Sequence, residues 1–249
     1  MHRFHLPPEQ CRGATLLLTG GEAHHAARVL RLQAGERVTV LDGAGGEFAC
    51  EVGAANKREV TLRVTDRKVH PAPPCQITLL PAIPKGKIIE AIIEKATELG
   101  AHRIVPLLTE RVATRLDKEG AAAKGAKWQH IAIEAIKQCG AAWLPRVEAP
   151  VTLNEFLARG EKFELALVGA LQGEARHPRE LFRAYEAHTG TRPRSVAIWI
   201  GPEGDLTAEE LKLIQDAGAK PITLGPLVLR VETAAIYCLS FLNYEMRSS

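Results

Sequence analysis

Three apolar runs in the C-terminal part of the chain each end in a glycine: Gly169 after "LALV", Gly201 after "IWI" and Gly225 after "ITL". In an open parallel sheet, ligands lie beyond the carboxyl ends of the strands. A glycine there lets backbone come close to whatever is bound. Just past the last of these glycines, "LGPLVLRVETAAIYCLSF" places Arg230 and Glu232 between a loop and an apolar helix with a buried stripe of Ala234, Cys238, Phe241 and Leu242. Each feature alone has a plain structural explanation. A glycine ends a strand, and Glu232 at a helix start is favoured by the macrodipole, with Arg230 as its salt partner. Three converging strand ends point instead to a ligand.

Several ligand classes are excluded by motif. No GxGxxG follows a strand, so a dinucleotide loop is not indicated. The phosphate loop GxxxxGK[ST] and the hydrolase elbow GxSxG are absent as well. His24 and His25 have no His or Cys partner at a zinc-like spacing, so no metal is expected.

The elements that would position these residues fall into two sets. Residues 1 to about 70 read as short strands, Thr15–Leu18, Arg37–Asp42, Glu47–Val52 and Glu59–Val64, with alternating or β-branched apolar residues. Gly43 to Gly46 signals a hairpin turn, and Gly21–Leu32 reads as one helix, giving a small β-barrel. "VHPAPPCQ" then puts three prolines in eight residues, a stiff boundary. The expected division is 1–70, a 71–76 linker, and 77–249. In the second part strands Ile77–Ile83, Arg103–Leu108, Glu164–Ala170, Ser195–Gly201 and Lys220–Gly225 alternate with helices Gly86–Gly100, Lys127–Gly140, a segment after Thr207, and a closing helix over "VETAAIYCLSFLNYEM". Near-continuous apolar strands alternating with helices imply an α/β domain with a parallel sheet covered on both faces. Thr207 with Glu210 fits a capping box. "EGAAAKGAK" (Glu119–Lys127) reads as a mobile loop.

Of the 249 residues, 46% are apolar and 24% charged, enough for a sizeable core in an ordinary globular composition. A net charge of +3 permits RNA binding without demanding it. The five cysteines form no CxxC pair and read as free thiols in a reducing compartment. No signal peptide or membrane span is seen, so a cytoplasmic location is expected.

Together, "IGPEGDLTAEEL" and "LGPLVLRVETAA" resemble the RsmE-type bacterial 16S rRNA (uracil(1498)-N(3))-methyltransferases of the knotted SPOUT superfamily. "HHAARVLRLQAGERVTVLDGAGGEF", "KATELGAHRIVPLLTERV" and "IEAIKQCG" continue the likeness in family order along nearly the whole chain. The resemblance implies an N-terminal PUA-like β-barrel that helps bind RNA and a C-terminal SPOUT α/β domain closed by a deep trefoil knot. It also implies a homodimer acting on 16S rRNA of the small ribosomal subunit. S-adenosylmethionine would be held by Val168, Gly169 and Ala170, by Ile200, Gly201, Glu203 and Gly204, and by Leu224, Gly225, Val228 and Leu229. Arg230 would stabilise the uracil anion as N(3) loses its proton, and Glu232 would orient it or take the proton. RNA contacts are expected from His25, Arg28 and Arg31, then Lys85, Lys87 and Arg111. The chain departs from the family pattern at Asp205, commonly glycine, at Leu227, commonly arginine, and near Ala141, often arginine. Other readings are a knotted enzyme with another RNA target, such as a ribose 2′-oxygen, and a non-catalytic RNA-binding homologue.

Overall fold

The computed structural model describes residues 1–56, 58–111, 117–170 and 175–247. The chain divides into two compact units, Met1–Ala72 with Ile133–Leu144, and Pro73–Ala132 with Pro145–Ser249.

The first unit is built on a five-stranded sheet of β1 (His2–His5), β2 (Thr15–Thr19), β3 (Arg37–Leu41), β4 (Gly46–Ala55) and β5 (Glu59–Val69), in the order β1-β3-β4-β5-β2. β1 runs parallel to β3 and the other pairs are antiparallel. Register shifts between β4 and β5 at Ala49/Cys50 and Val52/Ala55 bend the sheet. The result is a half-barrel around Phe4, Leu16, Leu18, Val38, Val40 and Leu62. The hairpin expected at Gly43–Gly46 is present, with Gly43 and Gly45 at φ +72° and +98°. Strand β1 was not anticipated. The expected helix over Gly21–Leu32 is shorter and changes type: α1 (Gly20–His24) passes into a π-helical turn, His25–Val29.

The second piece of this unit, Ile133–Leu144, adds its own hydrogen bonds. Arg3 Nη1 donates to the carbonyls of Lys137 and Gln138 at 3.3 and 2.9 Å, supplying a cation and donor to the last helical carbonyls. Lys137, 9% exposed, pairs with Glu22 at 2.8 Å and Glu134 at 2.9 Å. The Lys137 pKa is raised: burial works against the charge, and the two carboxylates outweigh it.

The second unit is a six-stranded parallel sheet in the order β13-β11-β12-β6-β7-β9. Its strands are β6 (Gln76–Pro81), β7 (Arg103–Ile104), β9 (Arg146–Val147), β11 (Leu165–Gly169), β12 (Ser195–Ile200) and β13 (Lys220–Ile222). A separate parallel pair joins β8 (Leu107–Leu108) to β10 (Val151–Thr152). The single strand expected over Arg103–Leu108 is therefore two. Pro106 has no N–H to give a ladder, and the chain changes sheets around it. The helices are α2 (Ile88–Glu98), α3 (Lys118–Cys139), α4 (Leu153–Ala158), α5 (Pro178–Thr189), α6 (Ala208–Asp216) and α7 (Val231–Arg247). α3 extends beyond this unit, its last turns lying in Ile133–Leu144.

The side chains of Leu80, Val168, Ala197 and Trp199 pack with Leu153 and Phe156 of α4 and Ile214 of α6. Strand alternation sends Val196 and Ile198 to the opposite face. There α7 packs on β6, β12 and α2. Both faces are thus covered and the strands are buried, matching the continuous apolar runs in the sequence.

Glu119–Lys127, expected as a mobile loop, lies inside α3. Alanine and lysine are strong helix formers. Gly125 is present for packing: a Cβ there would sit 2.9 Å from the Ala149 Cα. All five cysteines are free and only Cys139 is exposed. No helix of the described residues is long and apolar enough to cross a membrane.

Candidate active site

The carboxyl ends of β11, β12 and β13 open on one cavity of about 360 Å³, in the size range that holds a drug-sized or cofactor-sized molecule. Each strand is short and followed by a turn that glycine permits. At the end of β11, a Cβ on Gly169 would meet Ile200, Leu224 and the Trp199 carbonyl, all at 3.7 Å. Beyond β12, a Cβ on Gly201 would lie 3.1 Å from Asp205 Oδ1 and 3.2 Å from the Leu206 nitrogen. Gly225, after β13, has open space but sits at φ +108°, where L-residues are strained.

Eight of the eleven expected cofactor residues line this cavity: Gly169, Ala170, Ile200, Gly201, Leu224, Gly225, Val228 and Leu229. Three do not. Val168 is fully buried in the core with Trp199. Glu203 is exposed, and its Oε1 accepts a 3.0 Å hydrogen bond from the Lys85 backbone N–H. Gly204 gives its carbonyl to Arg111 Nη1. Beyond the eight, the wall holds Pro202, Pro226 and Leu227, which fall within the expected loops Ile200 to Gly204 and Leu224 to Arg230, and Ala175, Asp205, Thr223, Val231 and Ala234, which sequence reasoning did not assign to the cofactor. Most of these adjoin the glycines, and proximity in sequence was the signal that could have found them.

Among the described residues that line the cavity, Asp205 is the one with an ionisable side chain. It adopts φ +61°, a left-handed conformation that aspartate tolerates better than most side chains. Its Oδ1 accepts from the Leu206 N–H at 2.8 Å. The backbone at this departure from the family pattern is therefore the one a glycine would also adopt.

Arg230 is exposed and lies in the chain between the wall residues Leu229 and Val231. Its carbonyl accepts from the Ala234 N–H at 2.8 Å and so starts α7. Glu232 is half-buried in the first turn of that helix. Among the described residues Arg230 has no salt partner, and no hydrogen bond joins it to Glu232. The stripe of α7 follows the expected positions at Ala234, Cys238 and Leu242; Phe241 is only partly buried and meets Tyr237 edge-on at 6.0 Å.

The residues expected to touch RNA are spread over both units. In the first, Arg28 and Arg31 are exposed, Arg31 at φ +54°. His25 is half-buried and stacks edge-on against Phe4 at 6.2 Å. In the second, Lys85, Lys87 and Arg111 are all exposed. No group of three or more His, Cys, Asp or Glu among the described residues is arranged to hold a metal ion.

The comparisons agree with this geometry. Residues 71–243 match the RNA methyltransferase domain and residues 18–65 the RNA methyltransferase PUA domain. The chain is 35% identical to ribosomal RNA small subunit methyltransferase E of Synechocystis sp., over 99% of its length and 78% of the relative's. It is 32% identical to the Bacillus subtilis protein of that name, over 93% of the chain and 90% of the relative. Among solved structures, a Legionella pneumophila protein with bound S-adenosylmethionine is 35% identical, with a TM-score of 0.86 over 98% of this chain and 97% of that one. Ribosomal RNA small subunit methyltransferase E from Neisseria gonorrhoeae, bound to S-adenosylmethionine, is 27% identical with a TM-score of 0.82 over 98% of each chain. With the matched domain spanning well over half of the sequence and the relatives aligning along nearly all of it, the chain belongs to the RNA methyltransferase family whose curated members are named ribosomal RNA small subunit methyltransferase E.

Proposed function

We propose that the protein methylates N(3) of a specific uracil in 16S rRNA of the small ribosomal subunit, using S-adenosylmethionine. The observation that carries this reading is the cavity where three glycine-bearing strand ends meet, with Arg230 next in the chain to its wall residues Leu229 and Val231. The cavity fits the cofactor in size and in its wall of mixed polar and apolar surface, and the absent Cβ atoms at Gly169 and Gly201 leave backbone exposed to a flat ring. When bound, S-adenosylmethionine supplies an activated methyl group for in-line transfer.

The residues of the chain then bind, orient and polarise. The turns at Gly169, Gly201 and Gly225 hold the nucleoside portion, and Asp205 places one negative charge against the cationic part. Arg230 faces the uracil carbonyls and stabilises the negative charge that spreads onto them as the N(3) proton leaves. Glu232, without a salt bridge to Arg230, is available in the first turn of α7 to orient that guanidinium once RNA is bound or to accept the proton. The reacting edge of the base is its Watson–Crick edge, so the uridine is bound unstacked.

Exposed Arg28 and Arg31 of the half-barrel unit, with His25 as their packed neighbour, serve as phosphate contacts, as do Lys85 and Lys87. A homodimer belongs to the same reading. Tyr237 and Tyr244 on α7, with Leu227 and Val228 at the cavity, are exposed apolar side chains that a second copy would cover. So does a knotted C-terminus: β13 lies at the sheet edge beyond β11, while the following helix α7 packs back on the central strands β6 and β12. The work would be done in the cytoplasm, where ribosomes assemble.

The test is genetic and chemical. rRNA from a strain lacking the gene should contain no 3-methyluridine in the small subunit, and the wild-type gene should restore it. Unchanged 3-methyluridine with loss of a 2′-O-methylated nucleoside would favour the other RNA target instead.

A further inference from the structure

We propose that Arg111 is a positioning residue, which holds the Gly201–Asp205 loop in the shape that forms one wall of the cavity and so sets cofactor affinity without touching the cofactor. The inference rests on the cavity being the S-adenosylmethionine site.

Arg111 follows β8 by three residues. Its Nη1 donates to the Gly204 carbonyl and lies 3.4 Å from the Asp205 carbonyl oxygen. Those two carbonyls flank the Asp205 α-carbon, so one guanidinium fixes the backbone on both sides of it. A charged donor on a carbonyl is a strong hydrogen bond. The stem contributes as well: a Cβ on Gly204 would lie 3.3 Å from Arg111 Cδ, so glycine at 204 leaves the space the stem fills. Asp205, at φ +61°, lines the cavity. A non-glycine residue persists in that conformation when its surroundings over-determine it, and Arg111 is the surrounding group that reaches both of its carbonyl neighbours.

Arg111 is itself anchored. The N–H of Glu110 donates to Glu210 Oε1 at 2.8 Å, and Glu210 is buried at 8% exposure. On the other side of the loop, Glu203 accepts from the Lys85 N–H at 3.0 Å. The loop is therefore held from two neighbouring connections, the one after β6 and the one after β8. Nη1 of the guanidinium is committed to protein carbonyls, so of the three cations expected to meet phosphate on this unit, Lys85 and Lys87 keep that role.

The experiment compares full-length Arg111→Ala and Arg111→Lys with wild type by amide hydrogen exchange, calorimetry with S-adenosylmethionine alone, and RNA binding at saturating cofactor. The Asp205 N–H, which donates to the Pro202 carbonyl at 2.9 Å, is the local reporter. In Arg111→Ala it should exchange about tenfold faster or more, cofactor affinity should fall about tenfold or more, and exchange elsewhere should be unchanged. Arg111→Lys should recover part of both, since an ammonium keeps the charged donor but on a shorter side chain without the planar guanidinium. RNA affinity and its salt dependence should match wild type. An alanine variant with wild-type loop exchange and cofactor affinity but a shallower salt dependence of RNA binding would make Arg111 a phosphate contact and overturn the proposal. Faster exchange throughout the unit would make it a stability residue and overturn it too. Wild-type protein that binds no cofactor would instead remove the cofactor site, and the positioning role with it.

Discussion

The Glu210 carboxylate accepts a 2.8 Å hydrogen bond from the backbone N–H of Glu110, residues 100 positions apart in sequence. Its other oxygen takes the Thr207 N–H at 3.0 Å, closing the capping box of α6. One buried carboxylate thus satisfies donors from two segments. Glu210→Gln keeps the shape but turns an NH₂ toward one of those N–H groups. The unit should lose about 1–3 kcal/mol of stability in urea titration. A midpoint unchanged from wild type would show that the bridge contributes nothing.

The three cavity glycines should not respond alike to alanine. Gly169 has ordinary van der Waals room, 3.7 Å to its neighbours, so Gly169→Ala should fold normally and weaken cofactor binding by intrusion into the cavity. Gly225→Ala meets no atom but inherits φ +108°, so it should destabilise the fold by about 1–3 kcal/mol. Gly201→Ala is tight against Asp205 and Leu206 and should do both. Thermal melts with and without S-adenosylmethionine separate the effects; three equal losses of stability would contradict the assignment.

Arg230 has no salt partner among the described residues, so Arg230→Ala leaves no buried charge orphaned. Stability and cofactor affinity should stay near wild type while kcat falls about 10²–10³-fold, the size seen when one transition-state donor is lost. Arg230→Lys should recover little, because one ammonium cannot face two carbonyls as a guanidinium does. A rise in KM at constant kcat would make Arg230 a binding residue only.

His5 is held below the ordinary histidine value of 6.5, first by burial and then by Lys137, against the opposing pull of Glu22 and Asp42. The unfolded chain therefore binds this proton more readily than the folded one. Its contribution is intact above about pH 6.5 and is lost as pH falls from there toward the lowered folded value. His102, lowered by burial and by Arg103, acts in the same direction. Stability measured between pH 7.5 and 5 should fall, and His5→Gln should flatten that fall. A steeper fall in the variant would reverse the sign.

Features fixed by local chemistry were legible in the sequence. Thr207 and Glu210 announce a helix start, Gly43 to Gly46 a hairpin, and the apolar runs within Ile77–Ile83, Glu164–Ala170 and Ser195–Gly201 a parallel sheet. What escaped depends on partners far along the chain. β1 exists because His2–His5 finds β3, and four residues with two histidines carry no period to show it. α3 runs through Gly120 and Gly125, which look like breakers until Ala149 is seen packed against Gly125. In the site, the three glycine turns were readable because strand ends carry a pattern. The orientation of Arg111 was not, because a single arginine after a strand reads equally well as a phosphate contact or as a clamp on a loop met only in three dimensions.

The most direct test is tritium transfer from labelled S-adenosylmethionine to small ribosomal subunits taken from a strain that lacks the modification, followed by nucleoside digestion and separation. Wild-type protein should place label in 3-methyluridine, and Arg230→Ala should place almost none while still binding cofactor. No label in any nucleoside, together with no cofactor binding by calorimetry, would contradict the enzyme and leave an RNA-binding protein of the same fold.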